Sequence, residues 1–89
     1  MEFAWDEAKR EANIAKHGLD LVRGMHVLDG RPVFTYASPR GDEARFVSVS
    51  ILDGLWVALI WLQRDGQIRL ISLRRARDAE KRQYGLRYG

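Results

Sequence analysis

The sequence predicts an α+β fold in which two N-terminal helices precede a four-stranded, mainly antiparallel sheet and a short C-terminal helix ends the chain. Three features carry that prediction. Two capped segments with helical spacing open the sequence, two Asp-Gly pairs cut a long apolar stretch into strands, and a charged segment with helical spacing closes it. At 89 residues the whole chain, 1–89, reads as one domain with room for a single core.

Each element follows from local chemistry. Asp6 can cap the free N–H groups of Glu7 to Lys9, and the helix it starts runs through Ala8, Ala12 and Ile14 to His17. Gly18 ends that helix by supplying the left-handed conformation that commonly follows one, and Trp5 packs back on the first turn. Asp20 caps a second short helix with Leu21, Met25 and Leu28 on one face, closed by Asp29-Gly30. After Pro32, Val33 to Tyr36 reads as a strand, and Ala37 to Asp42 reads as a flexible loop because it concentrates turn formers. Asp53-Gly54 and Asp65-Gly66 favour two-residue hairpin turns between strands at Ala44 to Leu52, Leu55 to Arg64 and Gln67 to Leu73. A final helix is expected from Asp78 to Tyr84.

Two-residue turns also set a register, pairing residues whose numbers sum to 107 across the first turn and to 131 across the second. One face then holds Val47, Val49, Ala58, Ile60, Leu62 and Leu73, with Arg45, Arg64 and Arg69 at one end, and is expected to lie under the two helices. The other mixes Ser48 and Ser50 with Phe46, Leu59, Trp61, Leu70 and Arg74, a composition suited to recognition. Because the middle strand is apolar on both sides, the last helix or another chain must cover one of them.

Composition narrows the class further. The absence of cysteine excludes disulfides, two histidines leave almost nothing for a zinc site, and a reducing cytoplasm fits best. No run of about 18 apolar residues is present and the first residues are acidic, so a soluble chain without a signal peptide or membrane span is expected. The net charge of +3 is unevenly placed: residues 1–63 carry a net of −2 and residues 64–89 a net of +5. Twelve of the fifteen basic residues are arginine, whose planar fork suits bidentate contacts to phosphate or carboxylate. The basic tail therefore points to nucleic acid or an acidic protein, or to plain solvated surface.

Two blocks of residues resemble the BrnT toxins. Phe3-x-Trp5-Asp6-x-x-Lys9, with Asn13 and Lys16-His17-Gly18, is similar to the family's N-terminal helix. Arg64, Ile68-Arg69-Leu70-Ile71-Ser72 and Arg74-Arg75-Ala76, with Glu80 and Tyr84 beyond and Arg45-Phe46 before, resembles its last strands and C-terminal helix. The resemblance implies a fold similar to the RelE and ParE toxins. It further implies a type II ribonuclease toxin that cleaves RNA with no metal or cofactor and inhibits translation. Its partner would be a BrnA-like DNA-binding antitoxin, in a dimer or heterotetramer that alone reaches operator DNA. Two positions depart from the pattern: Leu62-Gln63 stands where a Thr-Glu pair is common, and Arg77 where a threonine is. They open a second reading, a catalytically silent module that acts by binding an antitoxin or co-repressor.

Metal-free RNA cleavage needs a base for the 2′-OH, charge stabilisation at phosphorus and a proton for the departing 5′-oxygen. Arg64, Arg69 and Arg74 come from one hairpin and its exit and can supply the charge, unless Arg64 and Arg69 pair with Glu43, Asp42 or Glu80. His17, His26, Glu80, Lys9, Lys16 and Tyr84 are the available acids and bases. Of these, His17, Glu80 and Tyr84 join the three arginines as candidate catalytic residues, with Glu80 and Tyr84 spaced i, i+4 on the last helix. Arg45, Arg75, Lys9 and Trp61 are candidate RNA contacts. Trp61 and Phe46 side by side can stack bases or anchor a partner.

Overall fold

The structure, a computed structural model, describes residues 2–40 and 43–89, the side chain of Arg40 excepted. Both Asp-Gly pairs form tight turns: Asp53 and Gly54 take φ of 51° and 78°, and Asp65 and Gly66 take 53° and 75°. A type I′ hairpin needs positive φ at both central residues, which is why these dipeptides end strands so sharply. In chain order the elements are β1 (Glu2–Ala4), α1 (Glu7–His17), a 3₁₀ helix (Leu21–Leu28), β2 (Phe34–Arg40), β3 (Glu43–Leu52), β4 (Leu55–Arg64), β5 (Gln67–Arg75) and α2 (Asp78–Tyr88).

The strands form one sheet in the order β1-β5-β4-β3-β2, with β1 parallel to β5 and the other pairs antiparallel. The expected four-stranded, mainly antiparallel sheet behind two N-terminal helices is therefore corrected to a five-stranded mixed sheet with three helical segments. The added strand is only three residues long, too short to show alternation, and exists because Phe3 pairs beside Ile68. The second helix is 3₁₀, and its buried residues, Leu21, Gly24 and Val27, recur every three positions, the period at which 3₁₀ side chains eclipse. The expected loop is also largely strand: Ala37 to Arg40 continue β2, with Pro39 tolerated on an edge strand. Gly41 and Asp42 lie outside the described residues.

Across the first turn the pairing follows the sum of 107, as in Phe46 with Trp61. Across the second, pairs sum to 131 as far as Trp61 with Leu70 and then slip, so that Ile60 faces Ser72 and Ala58 faces Arg74. Ile71 is the residue left over, a β-bulge.

The assignment of the faces is reversed relative to expectation. The 3₁₀ helix, with Phe3 and Trp5, closes over Leu52, Val57, Leu59 and Leu70 on the face that reads as a mixed recognition surface, and the slip brings Leu73 to the same side. Its hydroxyls are buried and satisfied. Ser48 Oγ accepts from Trp61 Nε1 at 2.8 Å and shares a 2.8 Å bond with Thr35 Oγ1, while Ser50 Oγ donates to the Pro32 carbonyl at 2.8 Å. The other face, Val47, Val49 and Ala58 with Phe34, Trp56 and Ile60 around them, is closed in part by Tyr84 of α2. Both faces of β4 are apolar, so hydrophobicity alone could not orient the sheet.

Gly24 makes the close approach possible: a Cβ there would lie 2.5 Å from Leu59 Cδ1. Leu59 is fully buried, so it has no free space to retreat into. Gly24→Ala is expected to cost about 1–3 kcal/mol by overpacking, read from urea unfolding midpoints.

A cationic groove as candidate active site

Where α2 leaves the sheet uncovered, a groove of about 440 Å³ opens on the same face. Ile60, Ile71 and Val47 form its apolar floor, and Ser38, Ser72 and Tyr36 add hydroxyls. Four cations converge on it from four elements: Lys16 from the end of α1, Arg45 from β3, Arg74 from β5 and Arg77 from the start of α2. His17 stands beside Lys16. The bulge is what turns Arg74 here, since without the slip it would project to the helix side.

Arg74 is held by Glu80 through two parallel bonds, at 2.8 and 2.9 Å. The same carboxylate accepts the Tyr36 hydroxyl at 2.5 Å and the Arg77 N–H at 2.8 Å. Glu80 is only 5% exposed. Burial alone would push its carboxyl up, but Arg74, the Arg77 N–H and Tyr36 outweigh it and hold the value at about 2. Glu80 is thus an ionised anchor with no lone pair to spare for proton transfer at neutral pH. Burial and the Glu80 carboxylate raise the Tyr36 phenol above its ordinary value, so it too stays protonated.

His17 has the opposite character. Burial, then the charges of Lys16 and Arg74, lower its pKa below the ordinary 6.5, which leaves a neutral imidazole at physiological pH. Its position is fixed by Asn13, one turn earlier, which is buried against the free edge of β5 beyond β1. There Asn13 Oδ1 accepts the Leu73 N–H at 2.9 Å and Nδ2 donates to the Leu73 carbonyl at 2.9 Å and to the Leu19 carbonyl at 2.7 Å. The carboxamide takes the place a further strand residue would fill. Asp6 caps α1 through the Ala8 N–H at 2.8 Å, and Gly18, at φ 69°, ends it.

The structure thus brings together three of the expected site residues, His17, Arg45 and Arg74, with Glu80 behind them. Others lie elsewhere. Tyr84 packs edge-on against Trp56, with ring centroids 5.0 Å apart, and contributes to the core. Trp61 stacks beside Phe46 at 4.9 Å on the opposite face, its N–H taken by Ser48. Arg64 is bonded to Glu43 at the hairpin end. Lys9 is exposed two turns before Lys16, Arg75 is exposed at the end of β5, and His26 is exposed on the 3₁₀ helix. Arg69 sits on the groove side of β5, opposite Leu62. Tyr36 and Ser38 escape the sequence reading, although they alternate along one strand as groove-facing residues should, and Arg77 stands out there only as a departure from the BrnT pattern.

A second cavity, of about 360 Å³, lies on the helix side among Leu19, Leu52, Leu55 and Val57. The charges at its rim are paired, Arg23 with Asp53 and Arg10 with Asp20, so it offers no free acid, base or cation.

Residues 5–80 match a protein family described as ribonuclease toxin, BrnT, of type II toxin–antitoxin system. The chain belongs to the BrnT family. Type II membership implies an antitoxin partner, and ribonuclease activity is the family's stated character. The matched segment contains every groove residue named above, and of the two departures from the BrnT pattern, Leu62 is buried while Arg77 lines the groove. Among curated proteins no relative matches the chain. No helix among the described residues is long and apolar enough to cross a membrane.

Proposed function

We propose that the groove is where this BrnT chain cleaves RNA, without a metal ion. The observation that carries the reading is the convergence of four cations and one neutral imidazole on a single concave site whose principal arginine is locked in place. Neutral His17 takes the proton of a 2′-OH, whose oxygen attacks the adjacent phosphorus. Arg74 and Arg45 hold the charge that builds on the phosphorane oxygens. The bond to the 5′-oxygen breaks, that oxygen takes a proton from water in the open groove, and a 2′,3′-cyclic phosphate is left. Glu80 is a positioning residue in this scheme. Cleavage of messenger RNA in the cytoplasm inhibits translation, and a BrnA-like DNA-binding antitoxin, in a dimer or heterotetramer with the toxin, neutralises it.

The test is cleavage of a defined RNA by the purified chain across pH. The lowered pKa of His17 places the acid limb of kcat/KM below 6.5, with activity falling as pH falls and the imidazole charges. His17→Ala is expected to lose about 10²–10⁴-fold in kcat and to abolish that limb. An unchanged pH profile in the variant removes His17 from the mechanism. No cleavage by folded wild-type chain under any condition leaves the silent antitoxin-binding module.

A further inference from the structure

Five arginines are half-buried among the described residues: Arg10, Arg31, Arg45, Arg69 and Arg74. Three of them are neutralised, by Asp20, Asp29 and Glu80. Arg45 and Arg69 have no carboxylate partner among the described residues. The Nε of Arg45 is in addition buried with no hydrogen-bond partner at all, an N–H withdrawn from water with nothing to receive it. By strand alternation both lie on the groove's face, Arg69 directly across from Leu62 and two positions beyond the Ile60 that floors the groove. Arg64, further out, is committed to Glu43, whose field also reaches Arg45 and Arg69 but whose oxygens bond to Arg64.

We propose that this strip is a binding track for extended single-stranded RNA, running along β4 from Arg74 to the level of Leu62, where Arg45 on β3 and Arg69 on β5 stand on either side of the strand and the track ends. The inference rests on the groove being the RNA site. Ala58, which faces Arg74, and Leu62, which faces Arg69, are four residues apart and so about 13 Å along the strand. That separates the two arginines by roughly two nucleotide steps, so the scissile phosphate held by Arg74 and Arg45 is followed along the track by another at Arg69. The apolar floor between the cations, Ile60 and Ile71, meets bases that a single strand exposes and a duplex hides. Lys16, at the end of α1, and Arg77, at the start of α2, wall the groove.

The track is tested by binding, separately from cleavage. Oligonucleotides methylated at every 2′-oxygen cannot be cut, and their affinity is read by fluorescence anisotropy as a function of salt. A six-nucleotide strand is expected to bind at least tenfold more tightly than a dinucleotide. Arg45→Gln and Arg69→Gln each weaken the six-mer several-fold and lower its salt slope by about 0.7, the value for one phosphate contact on a single strand. Arg69→Gln leaves dinucleotide binding unchanged, and Arg64→Gln leaves the six-mer slope unchanged. If Arg45→Gln does not fold, Arg69→Gln alone decides. Equal binding of the two lengths, an unaltered slope in Arg69→Gln, or equal competition by duplex RNA overturns the track. A chain that shows these slopes yet cuts no RNA keeps the track and loses the cleavage reading; one that cuts RNA with slopes unaltered does the reverse.

Discussion

Replacing Arg74 by methionine is expected to reduce RNA cleavage by at least about 100-fold, the loss typical of removing a principal oxyanion-stabilising group. The same change is expected to lower stability by about 3–5 kcal/mol, because it strands the Glu80 carboxylate in a buried site without its bidentate partner. The two effects separate in the Arg74→Met/Glu80→Gln double variant. Removing both charges together recovers most of the stability and none of the activity. Acid titration gives an independent check. Glu80 sits at about 2 in the folded protein against an ordinary 4.5, so its contribution to folding is complete above pH 4.5 and fades as pH falls toward 2. Urea midpoints measured between those limits should fall more steeply for the wild type than for Glu80→Gln. Parallel curves would mean that the carboxylate is not held by its partners.

The second large effect is expected at Asn13. Asn13→Ala leaves the N–H and carbonyl of Leu73, both on a buried edge, without partners, at about 1–3 kcal/mol for each group and about 2–6 kcal/mol in all. Asn13→Asp should be no better: it keeps the acceptor for the Leu73 N–H but sets a carboxylate against the carbonyls of Leu19 and Leu73. Denaturant titration measures the loss, and amide exchange at Leu73 locates it. A midpoint shift under 1 kcal/mol, with Leu73 exchange unaltered, would show that the edge is held by something other than this side chain.

Local signals in the sequence were complete where the chemistry is local. Asp6, Gly18 and the two Asp-Gly turns act within four residues of themselves, and each appears where its side chain or its tolerance of positive φ dictates. What the sequence hid depends on distant partners. β1 is a strand only because β5 lies beside it, and Ala37 to Arg40 extend β2 only because β3 pairs with them. The buried serines look like solvent-facing polar residues until Trp61, Thr35 and Pro32 are brought to them. In the groove, Arg74, Arg45 and His17 were legible from residue type and from likeness to BrnT. Tyr36 and Ser38 were not, because nothing within their own segment announces a charge or a cavity on the far side of the sheet, and Arg77 showed only as a departure from the BrnT pattern.

The slip at Ile71 gives β5 an arithmetic of its own. Arg69 and Arg74 are five residues apart, an odd interval, and in an unbroken strand an odd interval sends two side chains to opposite sides. They share a side because one residue between them goes uncounted. Position in this segment is therefore encoded by length as much as by letter. Deleting Ile71 would leave every arginine in the sequence and still carry Arg74 away from the groove, whereas conservative replacement of Ile71 would leave the charge where it is. A search for relatives by residue spacing alone must admit odd intervals on this strand to recognise two charges that serve one surface.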